Sequence, residues 1–283
     1  MVRIALTNIK KWRSEPTVWL VFVVLLLYVV YFFGPVYLFA GEHDESVSAW
    51  SVSGVFTHGM MAIIYVALIG LMFCNAPYYD SSSQFYVIRV GRVRWIMGQI
   101  LYVCIASFIM VLFIWLTSWL MLLPRISFAN DWGRVIRSAV LNGTLSPEHS
   151  LRVFFVSNIE AYDPIRTSIL SFVMTWSVTF FGGMLFMMLN AVAGKVLSFT
   201  IFGVLWFLCM LPDFTMLFQW GKPVFYVDFF RYVNVFSARE YCGLDYWPPL
   251  WWCLGIVLIG IIIFSVVTVI VFCRRDLDAG REE

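Results

Sequence analysis

The chain has 283 residues, of which 61% are apolar, 19% aromatic and only 13% charged. A soluble domain carries about 25% charged residues, so this composition excludes an ordinary soluble globular protein. The net charge of +2 gives no basis for a nucleic-acid partner, which calls for a strongly basic face.

The apolar residues come in blocks. Residues 16–40, 47–77, 95–124, 167–194, 196–212 and 246–273 contain no Asp, Glu, Lys or Arg. A helix needs about 20 mainly apolar residues to cross a bilayer. Each block can supply one crossing, the fifth only just. The expected fold is an all-α integral membrane protein with six transmembrane helices and cytoplasmic termini.

Taken in chain order, residues 1–15 read as a short amphipathic helix. Ile4, Ala5, Ile9 and Trp12 follow helical spacing, with Arg3, Thr7, Lys10 and Lys11 between them. Such a segment lies in the membrane interface, its basic side chains toward anionic headgroups and Trp12 at the boundary. Ser14-Glu15-Pro16 then suits a helix start, where the missing proline N–H costs little. The first span, about 17–39, exceeds a signal-peptide core of about 7–15 residues and reads as retained. An acidic turn follows with Glu42, His43, Asp44 and Glu45. These groups are adjacent rather than spaced to converge on a metal, so a solvated turn is the expectation.

The second span, about 55–75, contains His58, the only imidazole inside an apolar block. Ser51, Ser53, Thr57 and Gly59 surround it, which favours a small polar helix contact near the outer end over a proton-sensitive gate. Segment 76–95 carries Arg89, Arg92 and Arg94, the densest basic cluster outside the N-terminus. Short basic loops stay on the cytoplasmic side.

The third span covers about 96–123, and 124–167 is a long outer segment. Trp132, Val135, Ile136, Ala139 and Val140 have helical spacing there, ahead of an apolar run at 151–155 and after which no span begins until about 168. Asn142-Gly143-Thr144 is a formal glycosylation sequon. The fourth and fifth spans, about 168–190 and 196–212, are joined by a tight turn, NAVAGK at 190–195. Segment 213–249 contains FYVDFFRYVNVF at 225–236. Both outer segments are too polar to span and too apolar to float free, so they are expected to cap the membrane face or enter it partway. The sixth span covers about 250–273.

With both termini inside, the inner segments sum to a net positive charge and the outer ones to a net negative charge. The six cysteines form no CxxC and read as packing residues.

The missing chemistry is informative. No span core contains Asp, Glu, Lys or Arg, and such residues are what ion-coupled transporters place at mid-membrane. No HExxH occurs, and His43, His58 and His149 are scattered. Gly194-Lys195 is followed by Val196, so there is no P-loop. The expectation is a chain that is not itself an enzyme and holds no cofactor or metal, with another subunit supplying energy.

At this point the chain resembles the transmembrane subunit, or permease, of an ABC-2-type ABC transporter. The resemblance rests on the amphipathic helix before span one and on the segment FCNAPYYDSSSQFYVIRVGRVRWIMGQILY at 73–102, with its R-x-G-R-x-x-W-like run at 89–95. The Asn-x-x-x-Gly-Lys turn at 190–195 and the aromatic-rich last outer segment add to it. The 124–167 loop is longer than the common pattern.

The resemblance implies a homo- or heterodimer of six-span permeases on two cytoplasmic ABC ATPase subunits, which bind ATP and Mg, in a bacterial plasma membrane. The 76–95 loop would couple to the ATPase through Gln84, Phe85, Tyr86, Arg89, Arg92, Arg94 and Trp95. The export of an amphiphilic, peptide-like or lipid-like substrate would follow. The same arginines could instead only anchor the loop to lipid phosphates. The competing reading of the whole chain is a membrane binding module without transport, such as a sensor, assembly or immunity-type protein.

Overall fold

The computed structural model describes residues 1–57, 59–78, 87–142, 159–214, 225–243, 245 and 247–274. His58, Gln84, Phe85, Tyr86, His149 and the 151–155 run lie outside the described residues.

Helix α1 (Val2–Lys11) leads through a 3-10 turn (Trp12–Ser14) into α2 (Pro16–Glu42). Next come β1 (Val47–Ser48), a 3-10 segment (Ala49–Gly54) and α3 (Gly59–Phe73). Then follow α4 (Arg92–Leu122), β2 (Ile126–Ser127) and α5 (Gly133–Asn142). After these, α6 (Pro164–Ala193) and α7 (Lys195–Phe214) are separated by Gly194 alone. Two 3-10 turns (Phe229–Val233 and Val235–Ser237) and a helical turn (Arg239–Cys242) precede α8 (Leu250–Arg274).

The protein is thus predominantly helical, and α2, α4, α6 and α8 are long and apolar enough to cross a membrane. At 1.5 Å per residue the shortest of them, α8 with 25 residues, spans about 38 Å, more than a hydrocarbon core of about 30 Å. The apolar parts of α3 and α7, Ala62–Phe73 and Lys195–Leu208, are shorter. Of the four long helices, α6 is the most buried and α8 the least. The bundle is therefore built around α6.

The charge-free block at 47–77 is not one helix, and its helical part, Gly59–Phe73, lies within the expected span at 55–75. Its first part forms β1 and the 3-10 segment, and α3 starts at Gly59. The cause is local hydroxyl chemistry. Ser51 Oγ donates to Ser48 O (2.7 Å), Ser53 Oγ to Trp50 O (2.9 Å) and Thr57 Oγ1 to Gly54 O (2.7 Å). These bonds offer the backbone an alternative to the α-helical ladder.

Helix α6 satisfies what that segment leaves open. Thr167, Ser171, Thr175 and Thr179 recur every fourth residue on one face, and all are buried. Ser168 Oγ donates to Trp50 O (2.9 Å), Ser171 Oγ to Ser53 O (3.5 Å) and Thr175 Oγ1 to Val233 O (3.2 Å). Tyr65 OH and Thr179 Oγ1 lie 2.7 Å apart. One hydroxyl column thus grips both irregular stretches, 49–54 and 229–233. Irregular backbone inside an apolar body is tolerated when protein groups satisfy it in this way.

The bundle has two unlike ends. At one, β1 and β2 pair in parallel with Val47 opposite Ile126 and Ser48 opposite Ser127. Arginines bond acidic partners there: Arg125 to Asp44 (2.9 Å), Arg134 to Glu45 (3.0 Å), Arg137 to Asp131 (2.6 Å) and Arg239 to Asp245 (2.9 Å). The acidic turn is solvated, with Glu42, His43 and Asp44 exposed, and two of its acids pair with arginines of the 124–167 segment. Exposed pairs like these contribute little energy. Hydrogen bonds from Trp132 Nε1 to Tyr162 O (2.9 Å) and from Tyr162 OH to Glu240 O (2.9 Å) tie the cap together. Among the described residues, the opposite end collects Arg3, Lys10, Lys11, Arg13, Arg89, Arg92, Arg94, Lys195 and Arg274, against Glu15.

Candidate coupling site

The basic end is organised around the start of α4. Residues 87–90 form a helical turn, closed by a hydrogen bond from Gly91 N to Val87 O (2.9 Å). Trp95 N then donates to Gly91 O (3.0 Å), and α4 begins. Gly91 sits at φ 90, ψ 145, a conformation that a residue with a Cβ adopts only under strain. The glycine is therefore an elbow between the loop turn and the long helix.

The two sides of this elbow face different surroundings. Val87, Trp95 and Ile96 are buried and form a small apolar cluster with Ile4 of α1 and Val269 and Phe272 of α8. The Trp95 ring stacks on Phe272 at 4.9 Å with an interplanar angle of 19°. Arg92 Nη1 donates to Cys273 O (3.1 Å), putting a cation on the C-terminal carbonyls of α8, where the helix dipole favours it. Arg89 and Arg94 are exposed, as is Ile88 at 77%. Among the expected coupling residues, then, Trp95 and Arg92 pack within this chain, whereas Arg89 and Arg94 point outward. Gln84, Phe85 and Tyr86 lie outside the described residues.

Helix α1 is fastened to the next two turns of α4. Asn8 Nδ2 donates to Gln99 Oε1 (2.8 Å), with both side chains buried. Trp12 Nε1 donates to Tyr102 OH (2.8 Å). One turn before Asn8, Ile4 lies over Gly98, where an added Cβ would come within 2.9 Å of the Ile4 Cβ. This close approach requires glycine. The face of α1 expected to meet lipid, with Ala5 and Trp12, thus meets α4 instead.

The other end of the loop is held as well. Asn190, near the end of α6, donates from Nδ2 to Cys74 O (2.9 Å) and Ala76 O (2.6 Å). Tyr78 packs edge-on against Tyr102 at 5.2 Å and donates from its hydroxyl to Met72 O (3.2 Å). Burial raises the pKa of Tyr78 above its ordinary value, and the neighbouring Tyr102 adds to the shift. Tyr78 therefore stays a neutral hydrogen-bond donor.

Sequence reasoning singled out the arginines and passed over Asn8, Gln99 and Asn190 as individual contacts. A signal existed. Gln99 and Asn190 are amides inside apolar blocks, and such residues commonly bond across helices. Among the described residues no group of His, Cys, Asp and Glu side chains could hold a metal ion. What the arrangement offers is a pair of outward guanidinium groups on a segment tied to four helices. No family model, curated protein or solved structure matches the chain.

Proposed function

We propose that this chain is the membrane-spanning permease subunit of an ATP-driven ABC-2-type exporter. In this reading α3 and α7 complete six crossings with α2, α4, α6 and α8, and both termini are cytoplasmic. The basic end is the cytoplasmic end, because lysine and arginine concentrate there. A separate ATPase binds ATP and Mg and docks on segment 76–95, and a second permease subunit completes the pathway for an amphiphilic substrate.

One observation carries the reading. The loop is tied at both ends to the bundle, through Asn190 before it and through Gly91, Arg92 and Trp95 after it. Arg89 and Arg94 are left free to meet acidic groups of a partner. A push on the 87–95 turn is delivered to α4, α8 and α1 together. Charge-assisted hydrogen bonds from two arginines give the partner a directional grip.

The test is purification of the solubilised chain from its own host, followed by Arg89→Glu/Arg94→Glu. A P-loop ATPase is expected to accompany the native chain, and the double charge reversal is expected to release it. An ATPase that stays bound and coupled to the reversed variant refutes the docking assignment. A native chain that carries no ATPase turns the assignment toward a membrane binding module.

A further inference from the structure

Helix α1 has three faces, and the fold accounts for only one of them. Ala5 and Asn8 are buried against α4. At 3.6 residues per turn, Val2 and Leu6 lie one turn apart on the adjoining flank. They are 60% and 50% exposed. Arg3 and Lys10 lie two turns apart on the next flank, and both are exposed. Arg13 is exposed just beyond the helix, and residues 1–14 contain no acid. An open apolar strip beside an open basic strip suits an environment with acyl chains on one side and negative headgroups on the other.

The position of α1 agrees with its chemistry. Helix α2 enters the apolar layer at Pro16, two residues after the 3-10 turn at Trp12–Ser14. Trp19 and Leu20 in the first turn of α2 are already 58% and 52% exposed. So short a connection keeps α1 at the level where the apolar layer begins.

We infer that the Arg3/Lys10 flank of α1 binds anionic phospholipid and that the Val2/Leu6 flank seats that lipid's acyl chains. Because Asn8 and Trp12 fasten α1 to Gln99 and Tyr102 of α4, the lipid-bound helix and the Gly91 elbow form one unit. Anionic lipid therefore holds the start of α4 in place. The inference rests on the membrane embedding of the long helices and not on the ATPase reading.

The experiment reconstitutes the full chain in nanodiscs with a photoactivatable phosphatidylglycerol and maps the cross-links by peptide mass spectrometry. Labelling is expected in the peptide containing residues 1–13. Unlabelled phosphatidylglycerol is expected to compete it better than phosphatidylcholine does, by about fivefold per basic residue engaged. Arg3→Gln/Lys10→Gln should lose labelling at least about fivefold, while Arg3→Lys/Lys10→Arg keeps it. Should the neutral variant not fold, the native chain decides by salt. The preference for phosphatidylglycerol is expected to weaken in high salt, and a salt-independent preference overturns the inference. Equal competition by the two lipids overturns it too. So does absence of label from α1, the outcome if a second copy or another protein covers this face. A failure of ATPase docking leaves the labelling unchanged, so the two readings fail separately.

Discussion

Replacing Asn8 or Gln99 by leucine tests whether α1 is part of the bundle or merely rests beside it. The two amides meet at 2.8 Å and are 5% and 1% exposed. Either single substitution leaves the surviving amide buried without that partner, at a cost of about 1–3 kcal/mol. Measured couplings between helices in membranes are smaller, about 0.6 and at most about 1.7 kcal/mol, so about 1 kcal/mol is the working figure. That corresponds to about a fivefold rise in the population with α1 detached. Hydrogen exchange of the α1 amides, read by mass spectrometry in nanodiscs, reports this population directly. Asn8→Leu and Gln99→Leu should each speed α1 exchange about fivefold. Asn8→Leu/Gln99→Leu should restore most of the protection, because two apolar side chains then face one another. Purely additive singles, or singles that exchange like the native chain, refute the argument that this pair holds the helix.

Three further outcomes follow from the same region. Gly91→Ala should lower thermal stability by about 1–3 kcal/mol through backbone strain, because no atom lies within 4 Å to clash with the new Cβ; an unchanged melting temperature removes the elbow. Trp95→Ala should cost about 3–5 kcal/mol, seen as loss of monodisperse protein, and Trp95→Phe should keep much of the stack on Phe272. Tyr78→Phe tests the buried hydroxyl by pH. An unfolded tyrosine ionises near pH 10 while Tyr78 holds its proton to higher pH. The unfolded state then binds fewer protons, so stability is intact below about pH 10 and falls as pH rises beyond it. The variant should lose stability less steeply there, by up to about 1.4 kcal/mol per pH unit, and identical slopes in thermal melts refute the assignment.

The long helices were legible because their cause is visible one residue at a time. Charge-free blocks of sufficient length have few other solutions, and α2, α4, α6 and α8 coincide with four of them. The spacing of Val135, Ile136 and Val140 likewise corresponds to α5. In the block at 47–77 composition shows room for the helix at Gly59–Phe73, but not that Ser51 and Ser53 bond backbone carbonyls ahead of it. Ala5 and Trp12 misled for a related reason. An apolar stripe announces burial without saying whether lipid or protein does the burying, and here Gln99 and Tyr102 decide it. At the candidate site, the count of arginines could be read directly, but their division could not. Arg92 is set apart from the exposed Arg89 and Arg94 by contacts within the chain, among them its bond to the distant Cys273 carbonyl.

The hydroxyl column of α6 also bears on how the chain is made. Trp50 and Ser53 leave the ribosome more than a hundred positions before Ser168 and Ser171, the residues that bond their carbonyls. Until α6 arrives, the Trp50 carbonyl has the Ser53 hydroxyl of its own stretch, and the Ser53 carbonyl lacks its bond from Ser171. The 49–54 stretch therefore gains its full set of side-chain hydrogen bonds only once α6 has been made. The early middle of this protein is completed by its late middle.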